Sequence, residues 1–397
     1  MTTQAILLVS NAQLMFERVG GLSVLERQLF TIARAGVKKA WITTPKPPDG
    51  ALAKLRLPPD LEIVWSGGQA ATPAQAAALD CRPPYLALSG NHFIRVETLR
   101  YVVEAAYAVP VAIEDASGSA VLQVIPSASD QAPTPHKQPL PAGASVRVER
   151  PVGRGPALRW LLATATKSQD GFMARNFDRH ISLAVSRQLL DTRVTPNAMT
   201  ASSSLIGLLG AACFLGSGRP AHLSGALLVW LHSVLDGCDG ELARMRFEES
   251  AFGSDLDFWS DNLVHLALFS ALGAGFWLAG RGAHALALSA MADACVVASA
   301  WMAWQHRLSL RRTGAVGPEA GVTAQVAGGG TLAALSRLEN ALAQRDFIYL
   351  LILLAYAGFL YEFLWAGAVG SLLYFGIMLY LRRVRENEQA PQLHPAR

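Results

Sequence analysis

Two hydrophobic patterns divide the chain. In the first third, short apolar runs at 5–10, 39–44, 61–65, 85–89, 109–113 and 120–125 read as buried strands. Between them lie segments with apolar residues at helical spacing. Residues 20–36 carry Leu22, Leu25, Leu29, Ile32 and Ala33, and 72–79 and 96–108 are further helices. Strands alternating with helices predict an α/β domain with a mostly parallel sheet.

The rest of the chain changes character. Residues 126–144 are rich in Pro, Ser and Ala and read as a linker, followed by a short connecting helix at 154–166. Lys167–Gly171 is a turn. Residues 172–190 set Phe172, Phe177, Ile181, Val185 and Leu189 against Arg175, Arg179 and Arg187, which predicts an interfacial helix lying on a membrane. Long apolar segments follow at about 197–216, 221–239, 257–280, 283–305, 347–364 and 366–381. Each is near the ~20 residues needed to cross a bilayer, so six spans are expected. Residues 313–331 read as a Gly-rich flexible connection, and the polar tail after Arg385 as disordered. The expected architecture is an α/β domain over 1–125, a linker over 126–166 and an all-α polytopic membrane domain over 167–390.

Composition sharpens this division. Of 397 residues, 51% are hydrophobic and only 16% charged, well below the quarter usual in soluble domains. The net charge of +4 is mild, and no basic stripe interleaved with aromatics points to nucleic acid. Arg307, Arg311 and Arg312, and Arg382, Arg383 and Arg385, flank apolar segments as cytoplasmic charges do. Both termini and the acidic stretch described next are therefore expected on the cytoplasmic side. Cys81, Cys213, Cys238 and Cys295 have no metal-ligand spacing and read as reduced. Met1–Ser10 lacks a basic segment followed by a long apolar run, so no cleavable signal is expected.

Candidate chemistry concentrates between Asp236 and Asp261. Asp236 and Asp239 are three apart, and Asp257 and Asp261 four apart, so each pair shares one helix face. Two such helices can converge their carboxylates. Gly240, Ala243 and Gly253 keep the same faces small, and Arg244 supplies a planar fork suited to phosphate. Divalent cations of the magnesium type take oxygen ligands and bridge carboxylates to substrate phosphates. A solvated loop between membrane helices is the plainer alternative, but acids beside membrane helices are costly and usually functional. Asp293, inside the fourth predicted span, reads as a packing or cavity acid, and His265 as a hydrogen-bond partner of Asp261 or a packing residue.

The stretch D-x-x-D-G-x-x-A-R-x8-G-x-x-x-D-x-x-x-D resembles the signature of the CDP-alcohol phosphotransferases at Asp236, Asp239, Gly240, Ala243, Arg244, Gly253, Asp257 and Asp261. The resemblance implies transfer of a substituted phosphate from a CDP-alcohol to an acceptor hydroxyl, with release of CMP. It implies two Mg2+ or Mn2+ ions held by Asp236, Asp239, Asp257 and Asp261, with Asp261 also the general base. Gly240, Ala243, Arg244 and Gly253, with Pro196 and Asn197 at the start of the first span, would bind the CDP-alcohol. Lys167 and Arg187 are candidates for the acceptor phosphate, with lipid headgroups as the alternative. The family also implies a homodimer.

The first third resembles the sugar-phosphate nucleotidyltransferase (Rossmann-like) fold through its opening strand, Gly20–Arg27 and Ala35–Val37. Such domains are fused to some CDP-alcohol phosphotransferases of the di-inositol-phosphate type, where they activate inositol phosphate with CTP. This chain departs from that pattern. Asn11–Leu14 replaces the glycine-rich phosphate loop, no Pro-Lys pair follows, and Gly90–Asn91–His92 stands where a metal-binding Asp is expected. A non-catalytic domain with a structural or regulatory role is the favoured reading, and an active cytidylyltransferase the alternative. A membrane scaffold or cation transporter is the competing class; it would need acids at several depths, whereas the four acids cluster at one level.

Overall fold

A computed structural model describes residues 2–67, 81, 83–105, 107–126, 134–150, 155–166, 171–313, 331–344 and 346–389. The expected helix at 72–79, most of the expected flexible connection and Lys167 lie outside these residues. The chain separates into two units, Met1–Thr166 with Met245–Phe247, and Lys167–Arg244 with Glu248–Arg397.

In the first unit the described strands are β1 (Gln4–Leu8), β2 (Arg18–Val19), β3 (Leu22–Ser23), β4 (Lys39–Ile42), β5 (Glu62–Trp65), β6 (Tyr85–Ser89), β7 (His92–Ile94), β8 (Val111–Glu114), β9 (Ala120–Ile125), β10 (His136–Pro139) and β11 (Ser145–Arg147). Seven form one sheet in the order β10-β8-β9-β6-β1-β4-β5. Strand β1 pairs in parallel with β4 and β6, and β4 with β5. Only β9 runs antiparallel to its neighbours β6 and β8. The unbroken apolar run of β1 follows from its central place, since a strand covered on both faces has no polar side. The helices are α1 (Ala12–Met15), α2 (Val24–Arg34), α3 (Asp49–Leu52), α4 (Val96–Glu104) and α5 (Pro156–Thr164).

Two expectations change here. Helix α2 begins at Val24 rather than Gly20, because Ser23 and Glu26 make a reciprocal capping box that starts it there. Gly20 and Gly21, both at positive φ, turn the β2–β3 hairpin instead. The expected linker is also partly structured. Strand β10 extends the sheet edge beside β8, β11 pairs with β7, and α5 follows, all within the first unit. A run rich in Pro and Ser hides an edge strand well, since one side of such a strand needs no ladder partner.

The second unit is helical. A π-helical turn at Ala174–Asp178 leads into α6 (Arg179–Leu189), then α7 (Pro196–Cys213), α8 (Arg219–Arg246) and α9 (Ala251–Phe276). A second π-helical turn, Trp277–Arg281, precedes α10 (Ala283–Thr313), followed by α11 (Thr331–Ala343), α12 (Phe347–Ala357) and α13 (Leu360–Gln389). Phe214, Val229, Leu268, Leu272, Leu351 and Leu364 belong to the shared apolar core. Other large apolar side chains, among them Leu205, Trp301, Leu353 and Leu372, stay exposed. Helices apolar on every side are made for a membrane or a large core.

Among the described residues, three helices are long and apolar enough to cross a bilayer, Ala251–Arg281, Ala283–Arg312 and Leu360–Val384. The fifth predicted span is broken: α12 stops where Gly358 adopts a left-handed conformation, and α13 restarts at Leu360. The third begins six residues earlier than expected, at Ala251, since Ser250 caps it by accepting from Gly253 N–H. The predicted interfacial helix forms, but its buried positions are Ser182 and Ser186, while Phe172, Phe177 and Ile181 remain exposed. An amphipathic stripe therefore marks the face that α6 leaves open, and hydroxyls mark the face it packs.

Candidate active site

The signature is a helical hairpin. Helix α8 carries Asp236 and Asp239 near its end, and α9 carries Asp257 and Asp261 in its first turns. The two pairs meet. Ligand oxygens of Asp236, Asp239 and Asp257 lie within 4.8 Å of one another. A second group, His232, Asp236 and Asp261, meets within the same distance. Asp236 belongs to both, so the acids form two adjoining donor sets with one shared member. Asp236 and Asp239 are only 6% and 7% exposed, and Asp257 and Asp261 are half-buried. Several carboxylates this close repel one another, and a divalent cation between them removes that repulsion. The oxygen-rich donor set, with one imidazole, fits magnesium or manganese.

Neighbouring residues orient the acids. Thr200 Oγ1 on α7 donates to Asp239 Oδ2, and the Gly240 N–H donates to Asp239 Oδ1. Beside the acids opens a cleft of about 100 Å³, lined among others by Pro196, Asn197, Gly240, Ala243, Arg244 and Gly253. All six residues that the resemblance assigns to nucleotide binding therefore line one cavity, together with Asp239 and Asp257. The small residues have a steric reason. A Cβ on Gly253 would stand 2.9 Å from Asn197 Oδ1, and one on Gly240 would stand 2.9 Å from an Arg244 guanidinium nitrogen.

Helix α10 is pinned to this hairpin. Arg307 Nη1 donates to the Ser254 carbonyl at 3.2 Å, and its guanidinium lies over the Phe258 ring. Arg311 grips Asp255 with two hydrogen bonds, of 2.9 and 2.5 Å. These arginines, expected only as membrane flanks, hold α9 in place.

Residues 193–374 match the family model described as CDP-alcohol phosphatidyltransferase. Over these residues, a little under half of the chain, the sequence is similar to the CDP-alcohol phosphatidyltransferases. The chain is 38% identical over 126 residues to a bifunctional IPC transferase and DIPP synthase of Aquifex aeolicus, covering 32% of this chain and 28% of that one. A protein of the same description from Rubrobacter xylanophilus is 39% identical over 161 residues, covering 39% of this chain and 35% of that one. The phosphatidylinositol phosphate synthase of Mycobacterium tuberculosis is 30% identical over 101 residues, covering 25% and 46%. The matches thus span less than half of each relative's length. A crystal structure of the M. tuberculosis synthase with CDP-DAG bound aligns with 51% of this chain and 93% of its own, at 18% identity and a TM-score of 0.35.

Other sequence candidates fall outside the cleft. Arg187 is exposed on α6 and does not line it. His265 Nδ1 meets the backbone carbonyl of Asp261, at 2.7 Å. Asp293 accepts from Ser270 Oγ at 2.7 Å, between α9 and α10. Cys238 is buried against the Ser182 carbonyl, a small filler as its variable position implies. All four cysteines are free thiols.

Three residues around the acid cluster were not expected from the sequence. Thr200 bonds Asp239 from another helix, which no local pattern reveals. His232 stands four residues before Asp236, the same spacing that flagged the acids, and was legible in principle. Glu241, inside the signature, is fully buried and accepts from Arg179 Nη1 at 2.8 Å and from Ser182 and Ser186 at 2.7 Å each. It is five residues, or about 140° around the helix, from Asp236, which turns it away from the other acids.

Proposed function

We propose that the protein is an integral membrane CDP-alcohol phosphotransferase, transferring a substituted phosphate from a CDP-alcohol to an acceptor hydroxyl with release of CMP. The observation that carries this reading is the pair of donor sets sharing Asp236 beside a cleft lined by the signature's glycines and arginine. Asp236, Asp239, Asp257 and Asp261 would hold two Mg2+ or Mn2+ ions, which would supply charge neutralisation for the phosphates in the transfer.

The chain's own residues do the rest. Gly240 and Gly253 leave room for the nucleotide, with Pro196, Asn197 and Ala243 on the cleft walls. Arg244 presents a planar, permanently charged fork to a phosphate. Asp261 takes the proton of the acceptor hydroxyl. As a carboxylate it is a weak base in water, so its role depends on being held within hydrogen-bond reach of the acceptor. Thr200 and the Gly240 N–H fix the Asp239 carboxylate so that it does not swing into the cleft.

Three helices long and apolar enough to cross a bilayer support membrane insertion of this region. With α7, α8 and α12 the helices would make six crossings, with the acid cluster and both termini on the cytoplasmic side, in a homodimer. Names of the relatives favour an inositol-type alcohol as donor or acceptor partner, and a lipid such as CDP-diacylglycerol is the other donor. Lys167 and Arg187 are the acceptor-phosphate candidates.

The first unit is read as non-catalytic. Asn91 Oδ1, where a metal-binding acid was expected, is engaged by Ser89 Oγ at 2.5 Å and by His92 Nδ1 at 2.9 Å. His92 in turn meets Asp115 at 3.3 Å. A cytidylyltransferase active in the first unit, as in a di-inositol-phosphate-type fusion, is the alternative. Purified full-length protein incubated with CDP-diacylglycerol or CDP-inositol and a panel of hydroxyl acceptors, with CMP followed by mass spectrometry, tests the reading. CMP release that needs a donor, an acceptor and a divalent cation is expected. Release unaffected by a chelator, or none with any pair, counts against it.

A further inference from the structure

The second donor set contains a histidine that the family signature does not include. His232 is 3% exposed and stands one helical turn before Asp236 on the same face of α8. Its Nδ1 lies 3.0 Å from the Ser203 carbonyl oxygen on α7. A carbonyl only accepts, so Nδ1 carries the proton; in the neutral ring Nε2 is then the nitrogen with a lone pair for a cation. That nitrogen is 3.8 Å from Asp261 Oδ1. The distance is too long for a hydrogen bond. It suits two ligands on one ion, which stand about 3–4 Å apart when each bond is about 2.0–2.1 Å.

The ring has a prepared seat. Gly207 on α7 faces it, and a Cβ there would come within 2.9 Å of the imidazole Cγ and 2.8 Å of Val264. The absent side chain lets the ring lie between α7 and α9. An imidazole anchored through one nitrogen to a backbone carbonyl, with the other turned towards carboxylates, is how metal-bound histidines are oriented.

We propose that His232 is, through Nε2, a nitrogen ligand of the second cation position, together with Asp236 and Asp261. This rests on the reading of the acid cluster as a divalent-cation centre. The centre is then asymmetric. One position is all carboxylate, from Asp236, Asp239 and Asp257, and the other is mixed imidazole and carboxylate. Carboxylate oxygens suit magnesium and manganese, whereas imidazole raises the relative affinity for cobalt and other later first-row ions. The position nearest Asp261 is accordingly the more selective for transition ions.

Pulsed electron paramagnetic resonance on the full-length protein loaded with Mn2+ tests the assignment without reference to turnover. The expected result is 14N modulation from a coordinated imidazole, replaced by a 15N pattern when histidine is 15N-labelled. His232→Ala should retain bound manganese at the carboxylate position while losing the modulation, and its Co2+ affinity should fall by a larger factor than its Mg2+ affinity. Bound manganese without nitrogen modulation in the wild type, or modulation that persists in His232→Ala, overturns the proposal and leaves the carboxylate centre standing. No manganese bound to the wild type overturns the centre itself. Isotope labelling of the wild type carries the decision even if the variant does not fold.

Discussion

Glu241 makes the sharpest stability prediction. Its carboxylate is fully buried and has one charged and two hydroxyl donors, Arg179, Ser182 and Ser186, all on α6. Truncation to alanine leaves the Arg179 guanidinium, itself only 15% exposed, without its counter-charge. Removing one member of a buried ion pair costs about 3–5 kcal/mol. At 1.4 kcal/mol per factor of ten, that is a shift of about 10²- to 10³·⁵-fold in the equilibrium holding α6 on α8. Glu241→Gln keeps one acceptor oxygen but turns an NH2 towards a donor, so it falls between wild type and alanine. Replacing both partners, as in Arg179→Met with Glu241→Met, recovers much of the loss, because neither charge is then buried alone. The assay is amide exchange over residues 179–189 in detergent-solubilised protein, alongside thermal unfolding. Glu241→Ala should raise exchange there by at least tenfold and lower the unfolding midpoint. Unchanged exchange in that segment would falsify the claim that this pair docks the helix.

Asp261→Asn is expected to abolish CMP release while retaining CDP-alcohol binding measured by calorimetry, and wild-type turnover would remove the base assignment. Gly253→Ala places a methyl 2.9 Å from Asn197 Oδ1, so the Asn197 side chain must shift within the cleft; CDP-alcohol affinity should fall, and unaltered affinity would detach Gly253 from the nucleotide. In the first unit, burial holds the His92 imidazole below its ordinary value, and the Ser117 hydroxyl is the main cause that draws the Asp115 carboxyl down to about 2. The stability His92 supports is full above about 6.5 and declines as pH falls below it, since the unfolded chain then binds the proton more readily; that from Asp115 declines from about 3.8 towards about 2. Amide exchange of β7 and β8 in the full-length protein, corrected for intrinsic rates, should therefore quicken between pH 7.5 and 5, and His92→Gln should flatten that dependence.

Much of this protein is written locally. The apolar runs of β1, β4 and β6 name themselves as strands because a strand covered on both faces has no polar side to interrupt the run. Asp236 with Asp239, and Asp257 with Asp261, announce themselves because helical spacing is a property of the sequence alone. The edge strand β10 was not legible, since an edge asks little of its residues. Nor was the break at Gly358, where an apolar stretch of spanning length divides between α12 and α13.

Tertiary structure decided which faces met. Only the fold brings Asp236 into both donor sets, turns Glu241 towards α6 while its neighbours face the cleft, and sets Thr200 beside Asp239 and the Ser203 carbonyl beside His232. Those contacts join residues tens of positions apart on different helices. Sequence periodicity states which side chains share a face; it carries no information about what that face will touch, because packing is settled by the shapes of all the helices together.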